Sequence, residues 1–177
     1  VAASAEAYER AIRERYGDLA DAYLRLYPAS QQKESIYANT RDALYGWTSV
    51  RMAKKQTAAG APAFLYLFDH AYPATEEANL HAFHASELPF VFGTLKRTPP
   101  YWPKIEASKT QQNFSAAMMD YWTSFAETGQ PVAAGAPDWP AYGVTGAFLH
   151  FADTPQAAQR LYPGMYELHE AAVCRRK

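Results

Sequence analysis

Apolar side chains recur at helical spacing through the first sixty residues of this 177-residue chain. Tyr8, Ile12 and Tyr16 fall on one face behind Ser4, a residue type whose hydroxyl satisfies first-turn donors, and Gly17 marks the stop. Asp18 opens a second short helix through Leu19, Ala22, Tyr23 and Leu26 that ends before Pro28. Ser30 opens a longer one, in which Ile36, Thr40, Ala43, Trp47 and Val50 share a face, Gly46 offers a place to kink, and Gly60 and Pro62 end it. The period then changes. Ala63 to Phe68 is a short apolar run without alternation, the pattern of a strand covered on both faces. A polar loop follows from Asp69, and the connecting segment runs to Gly93. Thr98-Pro99-Pro100-Tyr101-Trp102-Pro103 has little backbone freedom and reads as extended. Pro103 suits the first position of the clearest helix, predicted over 103–128. Its stripe of Phe114, Met118, Tyr121, Trp122 and Phe125 faces a core, and Gly129 then Pro131 close it. A Pro/Gly/Ala loop leads to a second strand, 147–151. Thr154-Pro155 resembles a helix cap with proline at the first helical position. A last helix is predicted over 164–174, with a basic end at Arg175, Arg176 and Lys177.

These elements predict one unit over 1–177 that is mainly α with a small two-strand β element. Two strands make a poor sheet by themselves. The strand 63–68 wants neighbours on both sides, and this chain supplies at most one, which points to part of a larger α/β protein. Composition narrows the function classes. Hydrophobic residues at 49% and charged residues at 20% describe a globular chain with a sizeable core. A net charge of -1 gives no general attraction to nucleic acid or anionic lipid. No apolar run reaches the length needed to span a bilayer. The single cysteine, Cys174, excludes an internal disulfide and a thiolate metal cluster.

The candidate chemistry lies between His81 and Gly93. A strand, a loop and a histidine at its far end is how many hydrolases present a general base, because imidazole takes and returns a proton near neutral pH. Here His84 is followed by two residues, the acid Glu87, and an apolar turn ending Phe90-Val91-Phe92-Gly93. Two further segments follow in order: Phe125-Ala126-Glu127-Thr128-Gly129-Gln130-Pro131 and Asp138-Trp139-Pro140-Ala141-Tyr142. All three resemble the type-B carboxylesterases, the α/β-hydrolase branch of the cholinesterases and bacterial para-nitrobenzyl esterases. The resemblance spans about Tyr27 to Phe151. It implies the C-terminal part of an α/β-hydrolase fold, with His84 as the triad histidine, a small-molecule carboxylic ester as substrate, and no cofactor or metal.

The rest of the family's machinery has no match. Its triad runs Ser, then Glu or Asp, then His. This sequence contains no Gly-x-Ser-x-Gly and no Gly-Gly-Gly-type oxyanion loop. Glu6 and Glu9 lie in a helical pattern without the neighbours of the family's acid and are not assigned that role. Glu87, too close to His84 along the chain to serve as the triad acid, is expected to be a buried, hydrogen-bonded support, and Ser86 a loop hydroxyl. The chain alone is therefore expected to be inactive, with the missing N-terminal part of an esterase, or a second copy, as its partner. The alternative is a non-catalytic helical interaction or dimerisation module whose exposed strand edge and aromatic face pair with another chain. Metal binding is a rival for the same stretch, since His81, His84 and Glu87 are spaced i, i+3, i+6. His70 either lines the pocket or is a loop histidine, the reading preferred here, and His150 and His169 read as structural or exposed. Phe83, Phe90 and Phe92 shape a pocket or pack a core.

Overall fold

Ser4 starts the first helix as its position predicts, its Oγ accepting the Ala7 N–H at 3.2 Å. The computed structural model describes residues 4–175, so Arg176 and Lys177 of the expected basic end lie outside the described residues. In chain order the elements are α1 (Ala5–Tyr16), α2 (Ala20–Leu26), α3 (Gln32–Arg41), α4 (Trp47–Ala58), β1 (Tyr66–Phe68), α5 (Pro73–Glu77), α6 (Leu88–Val91), α7 (Lys109–Thr128), β2 (Ala147–Phe151), β3 (Gln156–Gln159) and α8 (Met165–Cys174). The contacts divide the described chain into two compact units: residues 4–63, 142–146 and 160–175 form the first, and residues 64–141 and 147–159 the second.

The first unit is helical. Its core joins Tyr8 and Ile12 of α1 to Ala20 and Tyr23 of α2, with Tyr27 and Leu168 of α8. The single helix expected from Ser30 to Ala59 is interrupted. A short turn at Ala29–Gln31 precedes α3, and a π-turn at Asp42–Gly46 separates α3 from α4. Asp42 is buried there, with Oδ1 on the neighbouring Arg41 Nε and Oδ2 on the Tyr27 hydroxyl. Gly46 lets α8 approach closely, since a Cβ at that position would lie 3.1 Å from Met165 Cε.

The second unit holds a sheet of three strands among the described residues, in the order β1-β2-β3. β1 pairs with β2 in parallel, with Tyr66 opposite Leu149 and Phe68 opposite Phe151. β2 pairs with β3 antiparallel, with Phe148 opposite Ala158. β3 lies where Thr154-Pro155 suggests a helix. The open ladder of β2 captures a segment whose own pattern carries no strand alternation, an instance of tertiary pairing overriding local propensity. The strand 63–68 is regular only over Tyr66–Phe68, although the Leu65 carbonyl still receives the Leu149 N–H at 3.0 Å. The same carbonyl accepts from Trp139 Nε1 at 2.9 Å, which ties the Trp-Pro-x-Tyr segment to the sheet. α7 begins at Lys109, not at Pro103. Ser108 takes the cap, its Oγ accepting the Gln111 N–H, so a cap hydroxyl outweighs an upstream proline. Gly129 closes α7 in the left-handed conformation at φ 75° and gives its N–H to the Phe125 carbonyl. The core of this unit centres on Phe90, Phe114, Met118, Tyr121, Leu149 and Phe151.

Candidate active site

The segment that carries His84 leaves the sheet at Asp69, whose N–H donates to the Phe151 carbonyl at 2.8 Å. Its first part is anchored. Tyr72 is buried and donates its hydroxyl to the Pro103 carbonyl at 3.0 Å. Thr75, fully buried in α5, donates to the Tyr72 carbonyl at 2.7 Å. Residues 76–81 are exposed, and the chain then tightens. Ser86 N–H donates to the Phe83 carbonyl at 3.0 Å, while Ser86 Oγ accepts the Phe83 N–H at 3.2 Å. This closed turn sets His84 on its outer side, and Phe83 packs edge-on against Trp102 at 4.9 Å. Ala85 takes φ 68°, a left-handed conformation that costs a residue with a Cβ on the order of 1–2 kcal/mol and is held here by its surroundings. α6 grows directly from the turn, as Phe90 and Val91 give their N–H groups to the Glu87 carbonyl at 3.0 Å each. Phe90, with no exposed surface, drives α6 into the core, and its carbonyl receives Ser115 Oγ at 2.8 Å.

All five histidines lie among the described residues, and they sit in different surroundings. His84 is exposed on a turn whose neighbours Ser86, Pro89 and Phe90 are buried. His81 is exposed on the exposed loop and pairs Nδ1 with Glu76 Oε1 at 3.1 Å. His150 is half-buried and pairs Nε2 with Asp69 Oδ2 at 3.1 Å. His169 is buried beside the Tyr27 hydroxyl, and burial holds its pKa below the ordinary value. His70, read from sequence as a loop histidine, is buried. Its Nδ1 lies 2.9 Å from Asp153 Oδ1 and its Nε2 lies 2.8 Å from Gln111 Oε1. His70 is thus almost closed to solvent, with each ring nitrogen within hydrogen-bond distance of a side-chain oxygen. His84 combines an exposed ring with a turn closed by local hydrogen bonds.

Several expectations are revised by this geometry. Glu87 is half-buried, not buried, and its backbone carbonyl takes part in the first turn of α6. Its carboxylate charge is felt at Tyr66, whose phenol is pushed up first by burial and then by Glu87. Ser86 sits in the loop as a buried hydroxyl whose oxygen closes the turn. Phe90 is core, whereas Phe92 is exposed. The helical alignment that the metal reading draws on is absent. His81 adopts φ 51°, and no regular helix aligns it with His84 and Glu87. Among the described residues no group of three or more His, Cys, Asp or Glu is placed to hold a metal ion. No described helix is long and apolar enough to cross a membrane.

An apolar cleft of about 170 Å³ opens in the same unit between Tyr66 and Phe64 of the strand segment, Trp122 and Phe125 of α7, and Trp139. Ligand pockets usually offer about 300–1,000 Å³, so this cleft by itself is too small for a whole substrate. Gly93 closes the segment at φ 61°, where a Cβ would come 2.8 Å from Met119 Sδ of α7. Gly93→Ala is expected to cost about 1–2 kcal/mol from the left-handed conformation, with the flexible thioether absorbing most of the clash. A lowered urea midpoint would show it.

A family model described as the carboxylesterase family matches residues 2–168. Carboxylesterase 1D of Rattus norvegicus is 33% identical over 135 residues, covering 75% of this chain and 23% of the relative. A solved carboxylesterase of Geobacillus stearothermophilus superposes with a TM-score of 0.68 at 27% identity, covering 96% of this chain and 35% of that one. A PNB esterase structure superposes with a TM-score of 0.71 at 27% identity, covering 93% of this chain and 33% of that one. The chain thus spans about a quarter of the length of the curated relatives it matches.

Proposed function

The chain belongs to the carboxylesterase family of the α/β-hydrolase superfamily, and on that footing we propose that it is the C-terminal segment of a serine carboxylic-ester hydrolase, with His84 as the general base. The observation that carries this reading is the exposed His84 imidazole on a turn whose neighbours are buried. In the complete protein a serine outside this chain attacks the ester carbonyl. His84 accepts the serine proton, passes it to the departing alkoxide, and then activates the water that releases the acid. Glu87 supports the base through the first turn of α6 rather than as the triad acid. The substrate is a small-molecule carboxylic ester, and the remaining part of the esterase domain is the partner that completes the site.

Because the 177 residues contain no Gly-x-Ser-x-Gly, the chain alone lacks a nucleophile elbow. Incubated with a fluorophosphonate probe and with p-nitrophenyl butyrate, it is expected to take no label and to show no turnover. Specific labelling of one of its serines would overturn the segment reading. The alternative, a non-catalytic interaction module, draws on the one-sided pairing of β1 among the described residues. Light scattering separates the two: a stable dimer that fails to combine with the rest of an esterase domain would favour the module.

A further inference from the structure

His70 and the face of α7 that holds it take no part in the chemistry described above. Its ring is 4% exposed, stacks on Phe114 with centroids 4.3 Å apart and 27° between planes, and meets Phe90 edge-on at 5.3 Å. Gln111, Phe114 and Ser115 are positions i, i+3 and i+4 of α7 and so share one face. Gln111 bonds His70, Phe114 stacks on it, and Ser115 bonds the carbonyl of Phe90. Gln111 and Ser115 are 5% and 3% exposed. Burying polar groups there costs free energy unless they are bonded, and apolar residues would pack the same face without that cost. What polar groups add is direction, because a hydrogen bond fixes orientation where an apolar contact does not. The oriented element is α6. Phe90 lies in it, and α6 is continuous with the His84 turn through Leu88 N–H on the Ala85 carbonyl at 3.1 Å and Phe90 N–H on the Glu87 carbonyl.

We infer that His70 is a positioning residue for His84: with Gln111 and Ser115 it fixes the orientation of α6, and through α6 the turn that presents the catalytic imidazole. This rests on the reading of His84 as the base. A neutral imidazole has one N–H; donated from Nε2 to the buried Gln111 oxygen, it makes that contact the stronger half of the clamp. Asp153 is 83% exposed, and water competes for its bond to His70.

The test separates positioning from packing and from the base assignment. H70F keeps an aromatic ring but leaves the buried Gln111 oxygen without its partner, so the thermal midpoint falls. H70F/Q111L removes that orphan and brings the midpoint back toward the parent value. Backbone order parameters from ¹⁵N relaxation at Ala85, Ser86 and Glu87 are expected near 0.85 in the parent chain and below about 0.6 in the stability-restored double variant. D153N is expected to leave them unchanged. If H70F/Q111L does not fold, S115A, which removes only the bond to the Phe90 carbonyl, is expected to lower the same three values. Unchanged order parameters in a stably folded H70F/Q111L or S115A would overturn the inference while leaving the base assignment intact. Turnover surviving H84A in a complete esterase domain would overturn the base assignment while leaving the relaxation result intact.

Discussion

In a complete esterase domain, His84→Ala is expected to lower kcat for p-nitrophenyl butyrate by at least about 10⁴-fold, with KM nearly unchanged. Loss of a triad member removes proton transfer from both halves of acyl transfer, while binding contacts and oxyanion donors remain. A thermal midpoint measured on the same His84→Ala domain separates a rate loss from a folding loss. His81→Ala is the matched control. It removes an imidazole three positions away, also exposed and paired with the exposed Glu76, and should leave kcat within about twofold. The measurement is steady-state kinetics normalised by active-site titration. A His84→Ala enzyme within tenfold of the parent, or a His81→Ala enzyme as impaired as His84→Ala, would move the base elsewhere.

The pattern that singles out His84 in the sequence is local. The acid, the proline and the Phe-Val-Phe-Gly run all lie within nine residues of it, and the local hydrogen bonds of Phe83 to Phe90 build the turn. His70 was not legible for the opposite reason. Its partners Gln111 and Asp153 are 41 and 83 residues away, and nothing near Asp69-His70-Ala71 distinguishes a clamped ring from a loop histidine. The stripe of α7 shows the same limit. Phe114, Met118 and Tyr121 declare their face by size and period, but Gln111 and Ser115 share its buried side and carry no such signal. A periodicity argument assigns polar residues outward; only partners supplied by another segment make the inward placement affordable in free energy. β2 was legible because its residues are apolar. β3 was not, because Gln156-Ala157-Ala158-Gln159 is a strand only by virtue of the ladder it meets. Asp42 is the clearest case of a long-range partner altering local structure. A single helix from Ser30 is a fair reading of the spacing, yet the chain takes a π-turn at the point where Asp42 turns in toward Tyr27. Inserted residues of this kind often mark places where a side chain has been re-aimed.

Asp42→Ala is accordingly expected to destabilise the first unit by about 3 kcal/mol, the second largest effect after the loss of His84. Asp42 is 3% exposed, and its carboxylate serves two donors: Arg41 Nε at 2.7 Å and the Tyr27 hydroxyl at 3.0 Å. A phenol has one proton. Given to Asp42, it leaves the phenol oxygen as acceptor, so His169 Nε2, 3.0 Å away, must carry the hydrogen and donate. Removing the carboxylate therefore orphans a buried hydroxyl and frees it to donate toward a nitrogen that already bears a proton. The same chain of bonds predicts a pH dependence. Burial holds the His169 pKa below 6.5, with the charge of Asp42 opposing the shift. Between that lowered value and 6.5 the folded state binds fewer protons than the unfolded state, so stability rises with pH across the window. It is fully present above 6.5 and declines as the pH falls toward the folded-state pKa. Asp42→Asn removes the opposing charge and should extend the decline to lower pH, whereas His169→Gln should abolish this component. Hydrogen exchange at the α8 amides between roughly pH 5 and pH 7.5 reads the difference directly. Parallel stability profiles for the parent and His169→Gln would show that His169 is not the titrating group; a shallower profile for His169→Gln, with Asp42→Asn steeper at the acid end, would show that burial of the imidazole behind Tyr27 sets the acid limit of this helical unit.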